Sequence, residues 1–147
     1  MYAQFVKHVS LPLYHWWHGS DLLKNIRTFE ASQWLSQERL RAMQWQRLSR
    51  LLEHAYENVP YYQEKFKEIG AEPNDFRSFE DFAKFPSLTK RILQERLADL
   101  IASNIPRGEM VKGITSGSSG QPTSYIQEKA SNRIRAAAGK RLTRIAG

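Results

Sequence analysis

A mainly helical chain carrying one small β-hairpin is the fold class this sequence predicts, and three observations predict it. Between residues 36 and 100, apolar side chains recur at helical spacing, and prolines and glycines punctuate them. After Pro106 the pattern changes to two short β-leaning runs, at 110–114 and 123–127, on either side of a loop rich in Gly, Ser and Thr. The 147 residues are 41% hydrophobic and 12% aromatic, enough for one domain with a real core and too aromatic for a disordered chain.

The first 35 residues read as an irregular lead-in. Pro12 and Gly19 break it, and a short helix or two is weakly signalled at 21–34. Residues 1–17 lack the unbroken apolar run and cleavage site of a signal peptide. No stretch approaches the ~18 apolar residues of a membrane span, and there is no cysteine. The expectation is a cytoplasmic protein. His15 and His18 could share a helix face, but no third metal ligand accompanies them.

Residues 36–106 are expected to form a helical subdomain. Ser36 can cap a long helix, and Leu40, Met43, Leu48, Leu51, Leu52, Ala55 and Val59 fall on its inner stripe. Pro60 ends it by disfavouring helical geometry at Val59. A second helix over 61–69 closes at Gly70, where a left-handed residue commonly ends a helix. Residues 73–75 form a turn. Ser78 and Asp81 resemble a capping box for a short helix stopped by Pro86. Thr89 caps a further helix expected to run through Leu100, with Ile92, Leu93, Leu97 and Leu100 inside.

Residues 107–147 are expected to hold a strand, a loop, a second strand and a final helix. Ile134, Ala138, Leu142 and Ile145 form the apolar stripe of that helix. The net charge of +7 is concentrated here: Lys129, Arg133, Arg135, Lys140, Arg141 and Arg144 face no acid, while the preceding residues are nearly neutral. The basic run carries no aromatic residue, unlike a single-strand nucleic-acid groove. A stand-alone basic module for nucleic acid or another polyanion is the alternative reading.

The loop carries the chemistry. It reads Thr115, Ser116, Gly117, Ser118, Ser119, Gly120, Gln121, Pro122, Thr123. Two glycines permit turns that aim successive N–H groups into one hollow, an anion-binding nest. Hydroxyls on Thr115, Ser116, Ser118 and Ser119 can donate around the same hollow. The Gly-Lys-Ser/Thr ending of a Walker A loop is absent, and the glycine spacing is wrong for a dinucleotide fingerprint. A flexible linker or a helical interaction protein with an incidental Ser/Gly loop is the bland reading. The β-leaning flanks, Thr115, Pro122 and Thr123 weigh against it.

At these residues the chain resembles the adenylate-forming superfamily of acyl-CoA synthetases and related ligases, whose signature loop reads Thr/Ser-Ser-Gly-Ser/Thr-Thr/Ser-Gly-x-Pro. Residues 51–62 (LLEHAYENVPYY) and 85–90 (FPSLTK) are similar to the entry segment of phenylacetate–coenzyme A ligase-like proteins. The lead-in, with Trp34 and Leu35, is closest to the capsule-biosynthesis branch of that group. The resemblance implies an incomplete N-terminal part of an α/β adenylate-forming fold. It also implies ATP and magnesium, a small-molecule carboxylate substrate, an acyl-adenylate intermediate and, as acyl acceptor, coenzyme A. Thr115, Ser116, Gly117, Ser118, Ser119, Gly120 and Thr123 are the implied phosphate contacts. Gln121 stands where many relatives carry Lys. The family's other nucleotide residues follow the loop at a distance this chain does not reach, so a truncated, inactive fragment is expected. His54, Tyr56, Tyr61 and Tyr62 are expected to pack around a helix end rather than catalyse.

Overall fold

A computed structural model describes residues 22–115 and 122–145. It is mostly helical, with one two-stranded hairpin. The chain divides into two compact units: residues 37–127 form one, and the flanking segments form the other.

The flanking unit holds α1 (Leu22–Ser32). It pairs with the terminal helix Lys129–Ile145, named α6 below. Ile26 and Ala137 are buried against each other and Phe29 packs on them. Ala137 therefore centres the inner face of α6, while Ile134, expected inside, is 46% exposed. The small Ala side chain suits a close helix approach; the apolar stripe read from periodicity alone was rotated by about one residue. The side chains of Leu142 and Ile145, from the same expected stripe, lie outside the described residues.

The larger unit begins with α2 (Gln37–Asn58), directly after Ser36. At 1.5 Å per residue it is about 33 Å long. Leu52, Ala55 and the following Val59 are buried, as expected, but Leu51 is 61% exposed. Trp45 joins the inner side instead, edge-on to Phe79 at 5.2 Å.

Val59 alone separates α2 from α3 (Pro60–Ile69). Its extended backbone (φ −114°, ψ 109°) is what a residue before proline prefers, and Pro60 then serves as a first-turn residue with no N–H to satisfy. The helix end is tied down: Asn58 Nδ2 donates to the His54 carbonyl at 3.0 Å. The Asn58 carbonyl accepts from the Ser103 N–H at 2.8 Å. Gly70 ends α3 in the left-handed conformation (φ +63°), its N–H and that of Ala71 closing on Lys67 and Phe66 carbonyls.

α3 turns Tyr61 and Phe66 inward, 1% and 0% exposed. Phe66 meets Tyr56, Phe76 and Phe85 with ring centroids 5.2, 5.9 and 4.8 Å away. That aromatic cluster folds the following segment back onto α2 and α3. The segment contains a 3-10 turn at Pro73–Asp75 and α4 (Phe79–Phe82). Ser78 caps α4 by accepting from the Asp81 N–H at 3.1 Å. The Asp81 carboxylate reaches back to the Arg77 N–H at 3.2 Å, one residue before the cap, so the reciprocal half of a capping box falls on its neighbour.

Thr89 caps α5 (Lys90–Glu95) through the Ile92 N–H, as expected. The helix does not run through Leu100. It breaks at Arg96 (φ −120°, ψ 29°) and continues as a 3-10 turn, Leu97–Leu100. Arg96 is held by a bidentate pair to Glu64 (2.8 and 2.8 Å) and by Asp99 (2.8 Å), and its guanidinium lies 5.1 Å from the Tyr61 ring centre. Those tertiary partners bind the helix-breaking residue in place, and Ile92, Leu93, Leu97 and Leu100 still remain partly buried. A last 3-10 turn, Arg107–Glu109, leads into β1 (Met110–Ile114), which pairs with β2 (Ser124–Glu128). The second strand starts one residue later than the sequence suggested.

Candidate functional site

The Ser/Gly loop joins the two strands of the hairpin in sequence. Of the expected phosphate contacts, Thr115 and Thr123 are described; Ser116, Gly117, Ser118, Ser119 and Gly120, with Gln121, lie outside the described residues.

The two threonines face each other at the loop's base. The Thr115 N–H donates to the Thr123 carbonyl at 3.0 Å. In return the Thr123 N–H donates to Thr115 Oγ1, also at 3.0 Å, rather than to the Thr115 carbonyl. A side-chain hydroxyl thus replaces one rung of the ladder, and the strands stay joined up to the residue where the loop departs. The Thr115 hydroxyl hydrogen is not consumed by this contact, because the oxygen only accepts in it.

Thr123 is 6% exposed, and its Oγ1 is buried without a hydrogen-bond partner among the described residues. An unpaired buried hydroxyl costs about 1–3 kcal/mol. Native structures rarely keep such a group unless something else satisfies it. An acceptor other than the described residues would satisfy it.

Two residues packed beside the loop's base were not singled out in the sequence reading, Gly113 and Tyr125. The register that sets Thr115 opposite Thr123 sets Gly113 opposite Tyr125, and the aromatic ring fills the space over the glycine. The available signal was a glycine inside a β-leaning run, with an aromatic at the mirror-image distance beyond the loop.

A concavity of about 470 Å³ lies in the larger unit between the C-terminal half of α2 and residues 82–88. Leu48, Leu52, Val59, Tyr62 and Phe85 line it, and half-buried His54 sits on its wall. Burial, then neighbouring Tyr61, pushes the Tyr62 hydroxyl above its ordinary pKa. His54 and Tyr62 line this concavity, while Tyr61 is buried and Tyr56 packs edge-on to Phe66. Among the described residues no group of three His, Asp or Glu side chains is arranged to hold a metal, and no helix is long and apolar enough to cross a membrane.

No protein-family model matches the chain. Over 101 residues it is 42% identical to the phenylacetate-coenzyme A ligase of Escherichia coli (strain K12), an alignment covering 66% of this chain and 23% of that protein. Over 120 residues it is 37% identical to the Pseudomonas putida protein of the same name, covering 75% of this chain and 27% of the relative. A third ligase of that name, from Aromatoleum evansii, is 39% identical over 89 residues. The chain is similar to phenylacetate–coenzyme A ligases. It spans about a quarter of the length of the ligases it matches. The ligase resemblance read from the loop and from residues 51–62 and 85–90 thus has independent support. The capsule-biosynthesis branch does not feature among these three relatives.

Proposed function

We propose that this chain supplies the ATP phosphate-binding loop of an adenylate-forming carboxylate ligase of the phenylacetate–coenzyme A ligase kind. The observation that carries the reading is the pinned hairpin mouth, where the buried Thr123 hydroxyl lacks a partner among the described residues. Similarity to ligases supports the reaction class.

In this reading Thr115, Ser116, Gly117, Ser118, Ser119, Gly120 and Thr123 grip the β- and γ-phosphates of ATP. A carboxylate oxygen attacks the α-phosphorus, an acyl-adenylate forms and pyrophosphate leaves. Fixed donors facing the leaving pyrophosphate offset charge as it builds, without the reorganisation that water would need. Magnesium arrives with the triphosphate. The thiol of coenzyme A then attacks the acyl carbon, forming a thioester as the bond to the adenylate breaks and AMP leaves. Gln121 contributes no cation, so the grip rests on N–H and hydroxyl donors. Because the chain spans a quarter of its relatives, the proposal assigns it the loop and not the whole site; turnover by this chain alone is expected to be nil. The lead-in around Trp34 and Leu35 favours a ligase of the capsule-biosynthesis branch.

Calorimetric titration of the 147-residue chain with magnesium–ATP, and separately with inorganic triphosphate, tests the loop assignment. Both are expected to bind. Replacing Gly117 and Gly120 together by Ala should weaken each roughly tenfold or more, since Ala tolerates positive φ poorly. No binding, or binding that ignores the double replacement, would sink the reading.

A further inference from the structure

We propose that Tyr125 and Gly113 form a clasp that positions the loop for its polyphosphate, an inference that rests on the phosphate-binding reading above. Residues 113, 115, 123 and 125 lie on one face of the hairpin, because side chains alternate along a strand and the paired residues share a side. On that face the Tyr125 ring occupies the room a side chain at 113 would take. A Cβ built on Gly113 would lie 2.6 Å from Tyr125 Cε2 and 2.5 Å from its Oη. Gly113 does not have positive φ. Its requirement is steric: only a residue without Cβ leaves the ring its seat.

That seat specifies the register. A one-residue slip would turn Tyr125 to the opposite face from Gly113. A two-residue slip would set the ring against Val111 or Thr115, where a Cβ takes the space. Only the observed register puts a glycine under the ring. The same register delivers the Thr123 N–H to Thr115 Oγ1 and leaves the Thr123 hydroxyl buried and, among the described residues, unpartnered at the loop's base. Tyr125 and Gly113 therefore act as positioning residues two steps from the loop; the threonines are what they position.

The test uses the whole 147-residue chain and three variants: Gly113→Ala, Tyr125→Leu and Tyr125→Phe. Inorganic triphosphate is titrated by calorimetry, amide exchange is followed at Thr115 and Thr123, and urea midpoints are recorded for all four proteins. Tyr125→Phe keeps the ring and is expected to match the wild type in all three readouts. Tyr125→Leu should bind triphosphate about threefold to fivefold more weakly, the scale of a lost cross-strand aromatic contact. Gly113→Ala should lose roughly tenfold or more, as overpacking displaces the ring. In both, the Thr115 and Thr123 amides should exchange faster while the midpoint shows the chain still folded. If Gly113→Ala does not fold, Tyr125→Leu against Tyr125→Phe decides. Triphosphate affinity and amide protection equal in wild type and variants would overturn the clasp and leave the loop reading standing. A wild-type chain that takes no triphosphate would overturn the loop reading and the purpose assigned to the clasp together.

Discussion

Truncating Phe66 to Ala should remove much of the stability of the larger unit. The side chain is fully buried, and three rings from two stretches of chain converge on it: Tyr56 from α2, and Phe76 and Phe85 from the segment after α3. Deleting a buried Phe ring costs about 3–5 kcal/mol when the surroundings cannot collapse into the space. Those neighbours are held by their own elements, so little collapse is expected, and the upper half of that range applies. A domain of this size has about 5–15 kcal/mol in total, so the loss is roughly a quarter or more. Urea unfolding followed by far-ultraviolet circular dichroism reads it directly. Phe66→Leu, which keeps much of the volume, should cost under ~1.5 kcal/mol. Tyr56→Ala, which removes a ring already 37% exposed, should cost less than Phe66→Ala. If Phe66→Ala cost no more than Phe66→Leu, the aromatic cluster would not be the element that folds residues 76–88 onto the two helices, and the argument would be wrong.

Two further outcomes follow from the same unit. The hydrogen-bonded Arg96 guanidinium holds the Glu64 carboxyl at about 2, well below the usual carboxylate range. A depressed folded-state pKa gives stability that is complete above the unfolded value of ~4.3 and is lost as pH falls toward 2. Carbon-13 titration of the Glu64 carboxyl should locate that midpoint, and Glu64→Gln should flatten the stability–pH curve between those limits; a midpoint near 4 would refute the pairing. Gly70→Ala should cost about 1 kcal/mol by backbone strain alone, because φ is +63° and nothing stands within 4 Å of the added methyl. Gly70→Asn should cost less, and equal thermal midpoints for Gly70→Ala and wild type would show that the helix end had changed conformation.

What could be read from sequence alone was whatever depends on near neighbours along the chain. Pro60 stops one helix and starts the next because of its own ring. Gly70 ends α3 because it alone enters the left-handed region cheaply. Ser78 and Thr89 cap helices three residues ahead, and the strands flanking the loop declare themselves by alternation. The chemistry proposed for the loop rests on the same short-range reading, of hydroxyls and glycines within nine residues. What waited for the tertiary structure depends on partners far apart in sequence. Arg96 breaks its helix where Glu64, thirty-two residues earlier, clamps the guanidinium. Leu51 and Ile134 sit on helical stripes but face outward, because periodicity gives the spacing of a face and not which neighbour covers it. Tyr125 is a clasp only because pairing brings Gly113 beneath it, and register is a property of two strands together.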